Sequence, residues 1–443
     1  MRSPRLSAGP EHAQATAPPA RTRPTPAPTA KQPSLWRNRD YMGWWTGTLL
    51  STVGSSTSAM AFPLLVVFAT GSVFQAGVIA AAGRIGLLVT MLWGGALADR
   101  YSRRAILVAI PLAQAALMGV VAYSVRSGHV PVVLLSAAAL GNGLLVGVKS
   151  GSILPALRRI VPREQFAARA AQEQGQAMAA QLAGSPLAAF LFVAARWLPF
   201  GADALSFVFA SLGSAVIRRP LGPDRAEPAP GSGRRGVLGD IREGFRIVRR
   251  QDFLRYTTVW VAVTNLVGSS FMLLLIALLR QRGAGPRTIG VTNAAVLCGG
   301  VLGSLAAGLI IRRLRARRVF LLGGWIYVAS LALAAVAGRP WQVGAAACAF
   351  TFASVPTVSV WEAYTARLVP DRLTGRVGSV STFGAQSLAW VGLLLAGWLV
   401  DRFGAPTAVL CFAALLVPFA VAGHRAGALA LFRTPLEQVE ELP

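Results

Sequence analysis

The sequence predicts an all-α membrane protein of twelve transmembrane helices, arranged as two six-helix bundles. Apolar residues make up 54% of the 443 residues and charged residues only 14%, whereas roughly a quarter of a soluble domain is charged. The apolar residues fall in twelve long runs. The basic residues lie mostly in alternate connections between those runs. These observations exclude a water-soluble globule.

Each run is long enough to cross a bilayer, which takes ~20 mainly apolar residues in a helix. Most connections are short, so consecutive helices should be antiparallel neighbours. One long polar interruption divides the runs into two sets of six. In chain order the runs cover 41–69, 75–98, 105–125, 130–153, 173–195, 198–217, 255–279, 288–311, 319–338, 342–365, 378–400 and 405–422.

The basic residues are distributed unevenly across the predicted membrane. The chain has 43 Lys and Arg against 17 Asp and Glu, a net charge of +26. Of the 43, 34 lie in segments on the side of the amino terminus and 7 on the opposite side, with Arg84 and Lys149 inside runs. The positive-inside rule then places both termini in the cytoplasm. Because the arginines are spread between runs, the charge does not indicate nucleic-acid binding.

The two halves carry related segments, which indicates an internal duplication. Residues 158–164 (RRIVPRE) match 366–372 (ARLVPDR), and GGALADRYSRR at 94–104 has a weaker partner at 307–318. Two related bundles place a binding site at their interface near the bilayer midplane. The predicted organisation is a disordered, proline-rich cytoplasmic tail at 1–34, bundles at 36–217 and 255–422, a cytoplasmic linker at 218–254 and a cytoplasmic tail at 423–443.

The linker contains a basic amphipathic segment. Val237, Ile241, Phe245 and Val248 fall on one helical face, and arginines cover much of the remainder. Such a helix suits an anionic membrane surface. An ordinary solvated linker helix fits the pattern equally well.

Enzyme chemistry, metal binding and cofactor binding are not expected. Cys298, Cys348 and Cys411 lie in separate apolar runs without paired spacing, and the three histidines are scattered. This arrangement predicts neither disulfides nor a metal site. A membrane-embedded enzyme would need a cluster of His, Cys or acidic residues facing the interior, which the sequence does not offer.

The segment GGALADRYSRR resembles the loop between helices two and three of the major facilitator superfamily. The motif residues are Gly95, Asp99, Arg100, Arg103 and Arg104, and Ser102 stands where a second glycine is usual. The segments LRRIVPREQFAARA, FGADALSFVFASLGSAVIRRP and GDIREGFRIVRRQDFLR are similar to the branch of macrolide efflux and enterobactin export proteins.

This resemblance implies a monomeric secondary transporter in the bacterial plasma membrane. It would export a lipophilic small molecule (a drug, a macrolide-like antibiotic, a siderophore or another natural product) by alternating access, driven by protons. The alternatives are an importer on the same fold and a lipid-handling membrane protein. No motif here fixes the substrate.

Asp99 is a candidate gate residue. It lies where the second helix meets the cytosol, between close-packing glycines and three arginines. There it can bond to the amino-terminal end of an adjacent helix or to an arginine, closing one access state. The alternative is a positive-inside anchor with one compensating acid.

Arg84 is the most unusual charged residue, because it lies too deep in its run to reach the headgroups easily. A charge at that depth costs at least ~2.5 kcal/mol unless it faces a cavity or a partner. The functional interpretation is a cavity arginine that contacts substrate or pairs with an acid; the alternative is a structural cap. Lys149, Glu173 and Glu362 lie nearer the inner ends of their runs, and Asp203 lies near the outer end of the sixth.

Polar stripes outline a candidate cavity. Helices one, four, seven and ten line the passage in the superfamily, and three of these carry stripes here. Weakly polar and aromatic walls suit a bulky, lipophilic solute, although serines and threonines also bond their own backbones or cement helix packing. The stripes consist of Ser51, Ser55, Ser58 and Phe62; Thr258, Asn265 and Ser269; and Phe350, Ser354, Thr357 and Trp361. With Arg84, Lys149 and Glu362, they supply the candidate cavity and coupling residues.

Overall fold

The computed structural model describes residues 35–100, 102–162, 165–217, 245–370, 377, 380, 383–425 and 427–439. In these ranges twelve helices are long and apolar enough to cross a membrane, which confirms the predicted fold class. They are α1 Arg39–Thr70, α2 Val73–Arg100, α3 Arg103–Arg126, α4 Val132–Ile160, α5 Phe166–Ala194, α6 Leu198–Ala215, α7 Asp252–Gln281, α8 Pro286–Arg313, α9 Ala316–Val336, α10 Pro340–Leu368, α11 Ala389–Phe403 and α12 Ala405–Arg425. The span that contains α11 begins earlier and covers Phe383–Phe403.

Several helices extend beyond the apolar runs. α5 begins at Phe166, seven residues before the expected start, and its first turns carry an Arg169–Glu173 ion pair of 2.6 Å at i,i+4 spacing. Such a pair supports a helix without apolar residues. α4 likewise continues to Ile160. Hydropathy marks the part of a helix that suits lipid, and these polar ends project past it.

Close packing inside the amino-terminal bundle depends on glycine where α2 crosses α4. A side chain at Gly143 would collide with the Gly83 backbone, and one at Gly86 would collide with the Leu140 carbonyl. The absence of side chains at these two positions lets the helix backbones approach closely. The opposite face of α2 is thereby directed to the other bundle.

The chain after α12 packs against the carboxy-terminal bundle. It forms the 3-10 helices Gly427–Arg433 and Leu436–Gln438. Phe432 is 2% exposed and makes edge contacts with the rings of Phe253 and Tyr364. Part of the expected 423–443 tail is therefore docked on the bundle.

The described chain covers little of the other two non-spanning segments. The 1–34 tail and residues 218–244 of the linker, with Val237 and Ile241, lie outside the described residues. Residues 245–250 are helical. Val248 is 6% exposed and packs on the core, whereas Phe245 is 59% exposed. Of the two described members of the apolar stripe, only Val248 is covered by protein.

Candidate transport site

A cavity of about 360 Å³ lies between the two bundles. α1, α2 and α4 contribute most of its wall, and α7 and α11 contribute the rest. The wall is mainly apolar, with Phe62, Ile79 and Met272 among its larger side chains. Its polar members are Ser55, Ser58, Arg84, Asn142 and Ser269. The cavity offers a lipophilic surface with a few placed polar groups, as small-molecule sites do.

Arg84 is the charged side chain of this wall. It lies eleven residues from the start of α2 and sixteen from its end, about 16 Å and about 24 Å along the axis. Its side chain is exposed and, within the described part of the chain, forms no hydrogen bond or ion pair. A guanidinium keeps its charge in proteins, so Arg84 presents an uncompensated positive charge to the cavity.

Behind the two cavity serines lies Asp203 of α6, which is 2% exposed. Its carboxylate accepts hydrogen bonds from Ser58 Oγ at 2.5 Å and Ser55 Oγ at 3.4 Å. Ser206 Oγ lies 3.2 Å from the carboxylate and donates at 2.7 Å to the Asp203 carbonyl oxygen. Ser55 and Ser58 belong to α1, so these bonds join α1 to α6. The two serines therefore face the cavity while they bind a buried carboxylate.

The depth of Asp203 was not evident from the sequence. It lies five residues from the outer start of α6, which suggested a shallow position. Its partner Ser58, however, lies twelve residues from the nearer end of α1, about 18 Å. α6 has 18 residues and α1 has 32, so the shorter helix begins well below the end of the longer one. Asp203 is thus level with the middle part of α1.

One end of the cavity is closed by contacts between the bundles. The Asp401 carboxylate at the end of α11 accepts hydrogen bonds from Ser72 Oγ at 2.6 Å, Val73 N at 2.8 Å and Phe74 N at 3.0 Å. These donors form the amino-terminal end of α2. A carboxylate there satisfies free backbone N–H groups and opposes the positive end of the helix dipole.

Two further contacts close the same end. The Arg280 guanidinium of α7 donates to the Val67 carbonyl of α1 and lies 5.0 Å from the ring centroid of Phe68. Asn293 Nδ2 of α8 donates to Ser185 Oγ of α5. We name the end that carries these contacts the closed end.

Backbone contact between α2 and α11 makes this closure tight. A Cβ atom at Gly397 of α11 would lie 2.6 Å from Phe74 Cα, and one at Gly77 of α2 would lie 2.5 Å from the Leu393 carbonyl oxygen. Glycine at both positions allows the two helices to touch along their backbones. This closure ends directly above the cavity, since Ala76 and Leu393 also line it.

A family model of the major facilitator superfamily matches residues 44–391. The chain belongs to the major facilitator superfamily. It is 25% identical over 402 residues to "Macrolide efflux protein A" of Streptococcus pyogenes, covering 87% of this chain and 95% of that protein. It is 27% identical over 389 residues to "Multidrug efflux pump Tap" of Mycobacterium tuberculosis (strain ATCC 25618 / H37Rv), covering 84% and 89%.

Solved structures confirm the major facilitator fold. A bacterial homologue of the human lysosomal transporter Spinster, in an inward-facing and unoccupied conformation, superposes with a TM-score of 0.70 at 13% identity, covering 90% of this chain and 98% of that one. The nucleoside transporter NupG gives 0.67 at 12% identity, covering 90% and 100%. The chain is thus a multi-pass membrane transporter, not an enzyme, and acts on small molecules.

The superfamily loop motif is described only in part. Gly95, Asp99 and Arg100 lie in the last turns of α2, but their side chains lie outside the described part of the structure. Arg103 is 7% exposed at the start of α3. Arg104 Nη2 donates to the Ala215 carbonyl oxygen at 2.9 Å, linking α3 to the end of α6. The gate role of Asp99 stays a prediction.

The structure brings together some of the predicted cavity residues and separates others. Arg84, Ser55 and Ser58 share the cavity wall with Ser269. Five predicted residues do not line this cavity: Lys149, Asn265, Ser354, Trp361 and Glu362. Among these, Ser354 Oγ donates to the Thr351 carbonyl at 2.7 Å. This contact fits the alternative that the serines of the stripes bond the backbone of their own helix. The predicted run ended at residue 153, which put Lys149 about one turn from its end. In the structure Lys149 lies eleven residues, about 16 Å, from the end of α4, because α4 continues to Ile160.

Asp401 was missed by the sequence reasoning although a signal was present. The segment GWLVDRF at 397–403 repeats the pattern of GALADRY at 95–101 at a constant offset. Gly397 then corresponds to Gly95, and Asp401 to Asp99. The first copy ends α2 and the second ends α11, so the two acids lie at the carboxyl ends of two helices from different bundles.

Proposed function

We propose that this protein exports a lipophilic small molecule from the bacterial cytoplasm by alternating access, in exchange for protons. The observation that carries the proposal is a mainly apolar cavity between two six-helix bundles. It is closed at one end by a few hydrogen bonds and by glycine-mediated packing between the bundles. Such contacts can break and re-form as rigid bundles rock around a central site.

The direction of transport is supported by the relatives. The two curated proteins described above are named as efflux proteins, and the chain covers 89% or more of each of them. The charge distribution supports an orientation in the plasma membrane in which both termini face the cytoplasm. With that orientation the closed end faces outward, and the cavity is loaded from the cytoplasm. We expect the transporter to act as a monomer, because each polypeptide contains both bundles.

Arg84 indicates which kind of polar group the substrate carries. A lipophilic solute that enters this cavity leaves water and meets a guanidinium with no anionic neighbour on the wall. A negatively charged or strongly accepting group on the solute would compensate that charge, and hydrogen bonds to a charged group are worth about 1.5–3 kcal/mol. We therefore propose an amphipathic substrate whose polar part is anionic or rich in acceptors.

Asp99 and Asp401 are proposed to be reciprocal gates. α2 and α11 run antiparallel; Asp99 and Arg100 are the last residues of α2, and Asp401 and Arg402 lie in the last turn of α11. Asp401 caps the start of α2 at the closed end. Asp99 occupies the corresponding place at the opposite end, where it would cap the start of α11 once that end closes. Each acid would then stabilise one of the two access states.

The test is the accumulation of fluorescent amphiphiles in a bacterial strain that lacks its own efflux pumps. Expression of the protein should lower the steady-state content of 8-anilinonaphthalene-1-sulfonate, and a proton uncoupler should restore it. Arg84→Gln should raise the content while membrane expression stays normal. A content that rises on expression would identify an importer, and no change for any of a panel of anionic, neutral and cationic amphiphiles would remove the basis for transport of lipophilic solutes.

A further inference from the structure

We propose that Asp203 is the proton-binding group of this transporter and that Ser55 and Ser58 couple it to the cavity. This inference rests on the proposed proton-driven export and assigns its proton site. Asp203 lies within the segment FGADALSFVFASLGSAVIRRP, which is similar to the efflux and export branch, but that resemblance assigns the residue no role. The argument uses its burial, its hydrogen-bond donors and the charges around it.

The carboxylate is held by hydroxyl groups alone. Ser58 and Ser55 of α1 donate to its two oxygens at 2.5 and 3.4 Å. Ser206 Oγ lies 3.2 Å from Oδ1, but its hydroxyl has a shorter bond of 2.7 Å to the Asp203 carbonyl oxygen. No Lys, Arg or His within the described residues forms an ion pair with it. A buried carboxylate that is paired with a cation stays ionised, whereas one held by neutral hydroxyls can exist in either protonation state. Asp203 therefore has the environment of a group that titrates during a cycle.

The charged groups on the neighbouring helices lie toward the helix ends. α6 packs against α1, α3 and α5. Across the cavity, Arg84 of α2 lies beyond the two serines. The titratable and charged residues of the three packed helices all lie in their first or last turns. They are Arg39, Asp40 and Tyr41 at the start of α1; Arg103 and Arg104 at the start and Tyr123 and Arg126 at the end of α3; and Arg169 and Glu173 in the first turns of α5. Arg126 is engaged 5.3 Å from the ring of Trp197.

The packing between α1 and α6 keeps the carboxylate in place. A Cβ atom at Gly54 would lie 2.8 Å from Asp203 Oδ1, so this glycine makes room for the acid. Phe62 and Phe200 pack edge to face at 4.8 Å between centroids one turn nearer to the closed end. Phe200 is fully buried. The access route to Asp203 is consequently through the cavity serines.

Ser55 and Ser58 give the proton a way to change the cavity wall. When Asp203 is ionised, both hydroxyl hydrogens point to the carboxylate. When a proton binds to Oδ2, the carboxyl O–H can donate to Ser58 Oγ, and the Ser58 hydroxyl hydrogen is released toward the cavity. No bond other than O–H is made or broken, and the proton comes from the cavity. The wall thus gains a donor on protonation, so substrate affinity and proton binding are linked.

A purely structural role makes a different prediction. If Asp203 only joined α1 to α6, asparagine would retain much of the link, because its carbonyl oxygen accepts bonds from the same serines. The pH dependence of the transporter would then be unchanged. The proton-site role requires that the variant lose it.

The experiment measures the conformational equilibrium as a function of pH and needs no known substrate. Nitroxide labels are placed at Tyr123→Cys and Trp341→Cys, two sites near the closed end that are 75% and 65% exposed and lie on different bundles. The background replaces Cys298, Cys348 and Cys411 with alanine. Distances in lipid nanodiscs are recorded from about pH 4, near the ordinary pKa of an aspartate carboxyl, to about pH 9.

The wild-type population of the closed end should change with pH, and Asp203→Asn should hold it constant. Glu437→Gln is the matched control, because Glu437 is an exposed acid in the 3-10 helix Leu436–Gln438 after α12 and its loss should leave the profile intact. Ser58→Ala removes the closest donor to the ionised carboxylate, so the midpoint should move to higher pH by about one unit. This variant also tests the proposal if Asp203→Asn fails to fold.

Three results would overturn the assignment: a wild-type equilibrium that does not respond to pH, an unchanged profile in Asp203→Asn, or an unmoved midpoint in Ser58→Ala. These outcomes are separate from those of the accumulation assay. Export with a normal pH profile in Asp203→Asn would reject this site and retain the proposed function. A lost pH response without export would retain the site and reject the function.

Discussion

Replacement of Asp401 by asparagine should weaken the closed end by a predictable amount. The carboxylate accepts three hydrogen bonds of 2.6–3.0 Å from the start of α2. Asparagine keeps one acceptor oxygen but has an N–H₂ donor in place of the other, so it loses the negative charge and at least one of these hydrogen bonds. Asp401 is exposed, and an exposed charge at that position is worth up to about 1 kcal/mol. Loss of the charge alone should raise the ratio of open to closed states up to about fivefold, and the lost hydrogen bond adds to this change.

The same pair of nitroxide labels reads this ratio, since the long-distance population grows when the closed end opens. Arg402→Gln is the matched control, because Arg402 is the exposed neighbour of Asp401 on the same turn. Ser72→Ala should produce a smaller change in the same direction. Equal populations in wild type and Asp401→Asn at constant pH would refute the gate argument, since a carboxylate without effect on closure cannot be holding it.

Three other variants test neighbouring parts of the mechanism. Gly397→Ala should open the closed end more than Asp401→Asn does, because its Cβ would lie 2.6 Å from the Phe74 backbone, whereas Gly300→Ala meets no atom within 4 Å and should be silent in the same distance measurement. Arg84→Gln should weaken binding of 8-anilinonaphthalene-1-sulfonate to the protein in nanodiscs by about tenfold and leave binding of its neutral counterpart N-phenyl-1-naphthylamine unaffected. Arg84→Lys should retain part of the preference for the anionic probe. Equal binding of both probes by the wild type would contradict the proposed role of Arg84. Asp99→Asn should favour closure of the closed end, opposite to Asp401→Asn, and slow efflux with normal membrane insertion. Normal efflux would refute its gate role.

The sequence was sufficient for the fold because lipid imposes a strict length and polarity on each helix. It also singled out Arg84, which lies on the cavity wall, because a cation at that depth in a membrane is costly. It did not identify Asp203, because the depth of a residue depends on where its helix begins relative to its neighbours. α6 begins well below the end of α1, and this offset follows from packing such as that of Phe62 on Phe200.

The role of Asp401 was missed for a related reason. The repeat of Gly-x-x-x-Asp-Arg-aromatic is visible in the sequence, but its meaning depends on α2 and α11 being antiparallel neighbours from different bundles. The polar stripes illustrate the opposite case, in which the sequence suggests a cavity residue and the structure shows a side chain bonded to its own helix. Serine and threonine at helical spacing suggested a cavity on α10, yet Thr357 donates to the Ala353 carbonyl at 2.8 Å and is 2% exposed. A backbone carbonyl four residues earlier satisfies such a side chain wherever the helix lies.

α1 supplies a physical connection between the proposed proton site and the closed end. It carries Ser55 and Ser58 on the Asp203 side and Val67, which accepts from Arg280, near its end. Between them lies Pro63, which also lines the cavity. Proline removes one helical hydrogen bond and permits a bend, so the two parts of α1 can change their relative angle. Protonation of Asp203 alters the bonds of the lower part, and a bend at Pro63 would carry that change to the contact with Arg280. A proton bound in the middle of the bundle can in this way bias a gate more than a helical turn away.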